Sequence, residues 1–268
     1  MPHRLQAYKT ILLSAFMLGW SHTIQASTEH ELQFFHRYST LDSPRSDWSD
    51  WRLYWYKQQD ADNALYLELN DIYHFGIRDQ QLAWGNRINS SSTLQYQTEL
   101  TTSTAHSLYP LFSLYGGIET KLNKSLVLNT GLRFSHFNKS NSTASSLLFT
   151  SRFDYYTGNQ LYSYSLYFTN MQGLALSDNV ITHSIKYAYI YSEKNNIYLS
   201  YAQGDEIDFD PDNAALISSA TQSINLGGLH WLNQTLAIVY TIAKHNVVPT
   251  TNSGYQRNEL YIGLRKLY

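Results

Sequence analysis

Acyl chemistry in this 268-residue sequence would have to draw its base and nucleophile from His183 and Ser165, because a hydroxyl nucleophile works only with a base in hydrogen-bond reach. His183 shares the alternation parity of Ile181, Ile185 and Tyr187, whereas Ser165 opposes Tyr164, Leu166 and Phe168. Groups on opposite faces of adjoining strands do not meet, and a one-residue slip of register would turn the whole apolar set over. The pair therefore reads as an interfacial histidine and an unrelated serine. No Gly-x-Ser-x-Gly elbow, phosphate loop or His-x-x-x-His pair occurs. The absence of cysteine excludes disulfides, thiolate metal sites, thiol nucleophiles and a lipidated N-terminal cysteine. The expectation is no enzyme, no cofactor and no metal.

The other residues with chemistry are charged, and they alternate with apolar ones. Arg37, Arg52, Glu68, Asp79, Arg87, Glu99, Arg133, Arg152, Asp154, Lys186, Glu259 and Arg265 each fall opposite the apolar parity of their own segment. Both signs are present. A single-sign ring would select ions, whereas a mixture facing an enclosed interior forms ion pairs that stiffen the wall and narrow the opening. Tyr54, Tyr66, Tyr156 and Tyr261 share the inward parity and are the candidate ligand contacts.

Period-two strands are the elements that must position these groups. Tyr, Phe and Trp make up 15% of the chain and charged residues another 15%, with a mean hydropathy of -0.38. No run supplies the ~20 consecutive apolar residues of a spanning helix. A chain rich in rings, hydroxyls and amides with scattered apolar residues suits an all-β, single antiparallel transmembrane β-barrel. In 125–137, Leu126, Leu128, Leu132 and Phe134 oppose Asn129, Gly131, Arg133 and Ser135. Near the carboxyl end, Leu260, Ile262, Leu264 and Tyr268 oppose Glu259, Tyr261, Gly263 and Arg265. About fourteen such segments can be counted, short connections alternating with longer ones. The pattern is thin over 79–102, so a barrel of about twelve strands is the alternative. Within 219–231 the apolar parity switches across Gly227 and Gly228, which predicts a bulge. Trp48, Trp51, Trp55, Tyr56, Tyr187, Tyr189 and Tyr191 read as rings at the membrane interfaces.

Residues 1–26 have the layout of a secretory signal. Arg4 and Lys9 supply charge, 10–20 the apolar stretch, and Ile24, Gln25 and Ala26 a small-residue exit, which leaves 27–268 as the barrel domain. A net charge of -2 gives no support to nucleic-acid binding. The run Asp205, Glu206, Asp208, Asp210, Asp212 spaces oxygens as a calcium loop begins. Asn213 stands where such a loop needs glycine, and Ser219 where it needs a bidentate glutamate. The run reads as a solvated outer loop, with a divalent site shared with lipopolysaccharide as the alternative.

The terminal Tyr255-Gln256-Arg257-Asn258-Glu259-Leu260-Tyr261-Ile262-Gly263-Leu264-Arg265-Lys266-Leu267-Tyr268 looks like an insertion signal read by the barrel-assembly machinery, carried by Leu260, Ile262, Leu264 and Tyr268. It also resembles the end of the YaiO-type outer-membrane β-barrel family. The Trp-rich second segment is similar too, as are Leu108-Tyr109-Pro110 with Leu114-Tyr115-Gly116-Gly117 and Leu122-Asn123-Lys124-Ser125 leading to Thr130-Gly131-Leu132-Arg133. The resemblance implies an integral barrel of the bacterial outer membrane, in contact with membrane lipids and lipopolysaccharide, whose biochemical role is undefined. A narrow channel or a component handling a surface saccharide is the leading reading. A lipid acyl hydrolase and a soluble periplasmic β-sandwich module are the alternatives; in the sandwich, Leu126, Leu128, Leu236 and Leu264 would contact a packed second sheet.

Overall fold

The computed structural model describes residues 30–42, 47–104, 108–139, 142–173, 178–192, 194–210, 215–249 and 254–268. The signal segment, its cleavage after Ala26, Asp212 and Asn213 lie outside the described residues. Fourteen strands follow one another: β1 (His30–Leu41), β2 (Trp48–Gln58), β3 (Asn63–His74), β4 (Ile77–Ser91), β5 (Leu94–Ser103), β6 (Phe112–Lys121) and β7 (Leu126–Lys139). The series continues with β8 (Ser142–Thr157), β9 (Gln160–Gly173), β10 (Asp178–Ile190), β11 (Asn196–Asp210), β12 (Ala215–Trp231), β13 (Leu236–Pro249) and β14 (Tyr255–Leu267). Each pairs antiparallel with its sequence neighbours, and β14 returns to β1 to close the barrel. Leu264 there faces Phe34, and Tyr261 faces Arg37.

Closure satisfies every edge, which a sheet in hydrocarbon requires. It also removes the sandwich alternative. Leu126, Leu128, Leu236 and Leu264 have no second sheet to meet; they lie on the outward parity, and Leu264 is exposed there beside Leu260 and Ile262. The inward parity carries the buried positions, mainly small or polar: Ser39, Ala83, Ser113, Ser165, Ala237 and Ala243.

The count of fourteen stands because β4 and β5 pair antiparallel from Gln81 with Ser103 to Asn89 with Gln95, with one irregularity between Asn89 and Ser91. Their pattern is thin for a local reason. Asn86 and Thr98 interrupt the outward apolar row of Leu82, Trp84, Ile88, Tyr96 and Leu100, and they satisfy each other across the ladder, Thr98 donating to Asn86 at 2.5 Å. The bulge expected at Gly227 and Gly228 is absent: both registers of β12 run through them unbroken. Leu229 and Trp231 therefore point inward, and Gly227 leaves room for Tyr198, whose ring an added Cβ would meet at 2.6 Å.

The hairpins at one end exceed the expected strands. β11 runs to Asp210 and β12 starts at Ala215, so Asp205, Glu206, Asp208 and Asp210 belong to a ladder and not to a loop. β13 likewise continues to Pro249. Backbone pairing needs no apolar face, so these polar rungs extend beyond the apolar belt that made the strands visible in the sequence. At the other end the turns are tight, as at Gly158 and Asn159 between β8 and β9.

Candidate functional site in the lumen

Inward alternation brings the charged residues onto the lumen wall, and the register decides who meets whom. Arg37 on β1 faces Asp50 on β2, and the two form an ion pair. His74 on β3 donates to the same carboxylate at 2.7 Å. Arg52 lies 3.3 Å from Glu68. Arg133 reaches Glu99 at 2.8 Å and donates to Ser113 at 3.1 Å, while the Tyr66 hydroxyl donates to Glu99 at 2.8 Å. Arg152 pairs with Asp154 at 2.9 Å, and Arg265 with Glu31 at 2.6 Å. Glu259 is held loosely: Ser39 donates to it at 3.4 Å, and Arg257 and His245 stand 3.9 and 3.8 Å away. Arg87 and Lys186 make no ion pair among the described residues; Arg87 lies over the Tyr66 ring and Lys186 over Tyr198, 5.9 and 4.2 Å from the centroids.

Asp50, Glu31, His74 and His245 also face the lumen and were not among the charged residues expected there. The signal was available for Asp50 and Glu31, which share the parity of Arg52 and Arg37 on their own strands.

The extended end of the lumen is narrowed by groups of another kind. β3 and β4 are joined by Phe75 and Gly76 alone, both with positive φ of 54° and 79°, as a two-residue hairpin of right-handed twist demands. Glycine adopts this conformation freely; phenylalanine does so at a cost in strain. The strained residue sets its ring against Trp48, edge to face at 5.1 Å, and Trp48 stacks on His74 at 4.1 Å. Arg257 from β14 covers the other side of the assembly, 4.6 Å from the Trp48 ring. Trp48 and Tyr56 were expected at the membrane interface. Trp48 is instead buried in the lumen and Tyr56 sits on the inward parity, whereas Trp51, Tyr187 and Tyr189 are exposed outside.

Leu108 and Tyr109, which precede β6, turn inward to meet this group. Asp79 is only 1% exposed, and its carboxylate accepts the backbone N–H groups of Leu108 and Tyr109, both at 3.0 Å. Two backbone donors on one carboxylate are charge-assisted bonds, stronger than neutral ones. So anchored, Leu108 reaches the cluster of Ala144 on β8 and Met171 on β9, with Phe75, Ile77 and Phe137 around it. Leu108, anchored to Asp79 on β4, thus also packs against β8 and β9. Burial raises the pKa of the Tyr109 phenol, which stays protonated. Nothing in the alternation pattern signals this fold-in, because loop residues carry no parity.

Beneath the loop lies a cavity of about 420 Å³ whose lining includes Arg37, Asp50, Arg52, Glu68, Tyr109, Glu259 and Tyr261. Phe35 stacks on Tyr261 at 4.9 Å and carries Arg52 at 5.1 Å. Its opposite residue is Gly263, and a Cβ there would come 2.0 Å from the Phe35 ring. Of the four inward tyrosines proposed as ligand contacts, Tyr261 alone lines this cavity; Tyr54 and Tyr66 stack on each other at 5.7 Å. Tyr156 stands on β8, away from the cavity lining.

On the outer surface, His183 bonds the Tyr164 hydroxyl at 2.6 Å. Ser165 is 7% exposed on the inward parity and faces Ser184, so the sheet separates it from His183. Among the described residues no group of His, Asp or Glu is placed to hold a metal ion. Leu260, Ile262, Leu264 and Tyr268 are all exposed on the outer face, with Lys266 over the Tyr268 ring at 4.7 Å.

No curated protein matches this chain in sequence. Among solved structures it is similar to a bacterial polysaccharide outer membrane secretin, at 8% identity and a TM-score of 0.53, covering 92% of this chain and 100% of that one. In-vitro folded OmpT, an outer membrane protein of Vibrio cholerae, gives 8% identity and 0.52 over the same shares. An anion-selective porin from Comamonas acidovorans gives 11% and 0.48, covering 90% of this chain and 99% of that one. At such identities the likeness is one of fold. The sequence profile of the YaiO membrane beta barrel domain matches residues 29–208, more than half of the chain, and with a closed fourteen-strand barrel around a charged lumen this chain belongs to that family of outer-membrane β-barrels.

Proposed function

We propose that the barrel is a non-enzymatic, narrow conduit through which small, uncharged, hydroxylated solutes cross the outer membrane. The observation that carries this reading is the inward placement of Leu108 and Tyr109 by Asp79, in a lumen where most of the charges are compensated in pairs. Compensated pairs leave little net field to attract an ion of either sign, and the inward loop limits the size of what passes. The outer apolar belt is seated in membrane lipid and lipopolysaccharide, and Leu260, Ile262, Leu264 and Tyr268 form the segment read during assembly.

Planar-bilayer recording of the purified barrel tests the reading. Small, steady conductance steps with a reversal potential near zero in a salt gradient are expected; a silent membrane overturns it. In parallel, labelled phospholipid or lipid A incubated with the protein should release no fatty acid. Release that disappears in His183→Ala would replace the conduit with a hydrolase.

A further inference from the structure

We infer that the cavity below the inward loop is a binding site for a neutral saccharide of one or two rings, which rests on the conduit reading and names its substrate class. The cavity, about 420 Å³, falls within the size range of small-molecule sites. Its charged groups come as matched pairs, Arg37 with Asp50 and Arg52 with Glu68, together with the weakly held Glu259. A free anion or cation would have to compete with one member of a pair for the other, leaving a charge unpartnered in a confined space. A hydroxyl avoids that conflict. It donates to a carboxylate and accepts from a guanidinium at once, so a ring bearing several hydroxyls can bridge both members of each pair without separating them.

The frame is already ordered before a ligand arrives. Asp50 is fixed between Arg37 and His74, and Tyr261 is packed on Phe35, whose ring fills the space that Gly263 leaves. Tyr109 forms the roof and is held by the two bonds of its loop to Asp79. Rings of tyrosine beside hydroxyl-binding groups suit a sugar, which has apolar C–H faces and a polar rim. Pre-ordering lowers the entropic cost of binding.

The test is titration of the full-length barrel in detergent with cellobiose, followed by calorimetry, with glucose 6-phosphate as the anionic counterpart. Saturable cellobiose binding is expected, weakened about fivefold or more by Glu259→Gln and by Tyr109→Phe, the loss of roughly one hydrogen bond each. Tyr109 lies outside the strands, so that variant keeps the barrel intact, which retained heat-modifiable gel mobility would verify. Lys124→Gln, in the exposed turn between β6 and β7 and outside the cavity lining, should bind as the parent does. Absence of saturable binding, or tighter binding of the sugar phosphate than of cellobiose, overturns the site. Binding to a barrel that is silent in planar bilayers would support the site and overturn only the conduit.

Discussion

The two walls of the lumen are built differently. β14 and β1 to β8 carry the ion pairs, from Arg265 with Glu31 through Arg37 with Asp50 and Arg133 with Glu99 to Arg152 with Asp154. β9 to β13 present Ser163, Ser165, Thr182, Ser184, Ser200, Thr221, Ser223 and Thr241 inward, with Lys186 and His245 as the basic groups among the described residues. Short hydroxyl side chains need no partner held at a fixed distance, whereas each buried charge needs one. The charged wall is therefore the more specific one, and Leu108 beside it also packs against Met171 on β9.

The largest expected difference between the walls is one of stability. Glu99→Leu strips Arg133 and Tyr66 of their shared acceptor and should cost about 2–4 kcal/mol, whereas Ser200→Ala on the hydroxyl wall should stay within about 0.5 kcal/mol. Urea unfolding in lipid vesicles, followed by gel mobility, would show it. Equal losses would remove the distinction. Next comes the loop: Asp79→Ala frees Leu108 and Tyr109 from their anchor and should raise single-channel conductance severalfold. An unchanged step size would mean that the loop does not limit the opening.

A subtler change concerns the sign of the permeant ion. Lys186→Glu replaces a cation that makes no ion pair among the described residues with an anion, so the reversal potential in a salt gradient should move toward cation selectivity. No such displacement is expected from Ser184→Ala. The smallest effect lies on the short-turn rim of the charged wall. There Asp60 accepts from the backbone of Asp62 and Asn63 and from the Asn63 side chain, which holds its carboxyl below the usual carboxylate range. A depressed folded-state pKa contributes stability that is present above the unfolded value and is lost as pH falls through the folded one. The thermal midpoints of the parent and Asp60→Asn should therefore differ slightly at neutral pH and converge on acidification; a gap that widened would contradict the assignment.

Much of this arrangement is legible in the sequence because a strand has only two faces. Arg133 between Leu132 and Phe134 must point opposite to them once those residues face lipid. Parity says nothing about partners, though. That Arg37 meets Asp50, or that Gly263 lies under Phe35, depends on a register set by many rungs at once. Trp48 misleads because a ring near a strand end suits a membrane interface and an inner stack equally well, and only its neighbours His74 and Phe75 decide. Gly227 and Gly228 mislead for a related reason: the switch of apolar parity marks a glycine pocket for Tyr198 and inward Trp231, not an extra residue in the ladder. The loop carrying Leu108 and Tyr109 is invisible altogether, since its position comes from Asp79, some thirty residues away in the chain.

The seam between β1 and β14 differs from every other ladder in timing. All other pairings join strands that are neighbours in sequence, whereas the seam joins Glu31 to Arg265 and His30 to Tyr268, and contacts of such long separation are slow to form. Until it closes, both strands offer unpaired backbone groups that hydrocarbon cannot satisfy. The cation that lies over Trp231 and also pairs with Glu31, Arg265, then acts as a clasp engaged at the end of assembly, and its replacement should slow the appearance of the closed barrel more than it lowers the stability of one already formed.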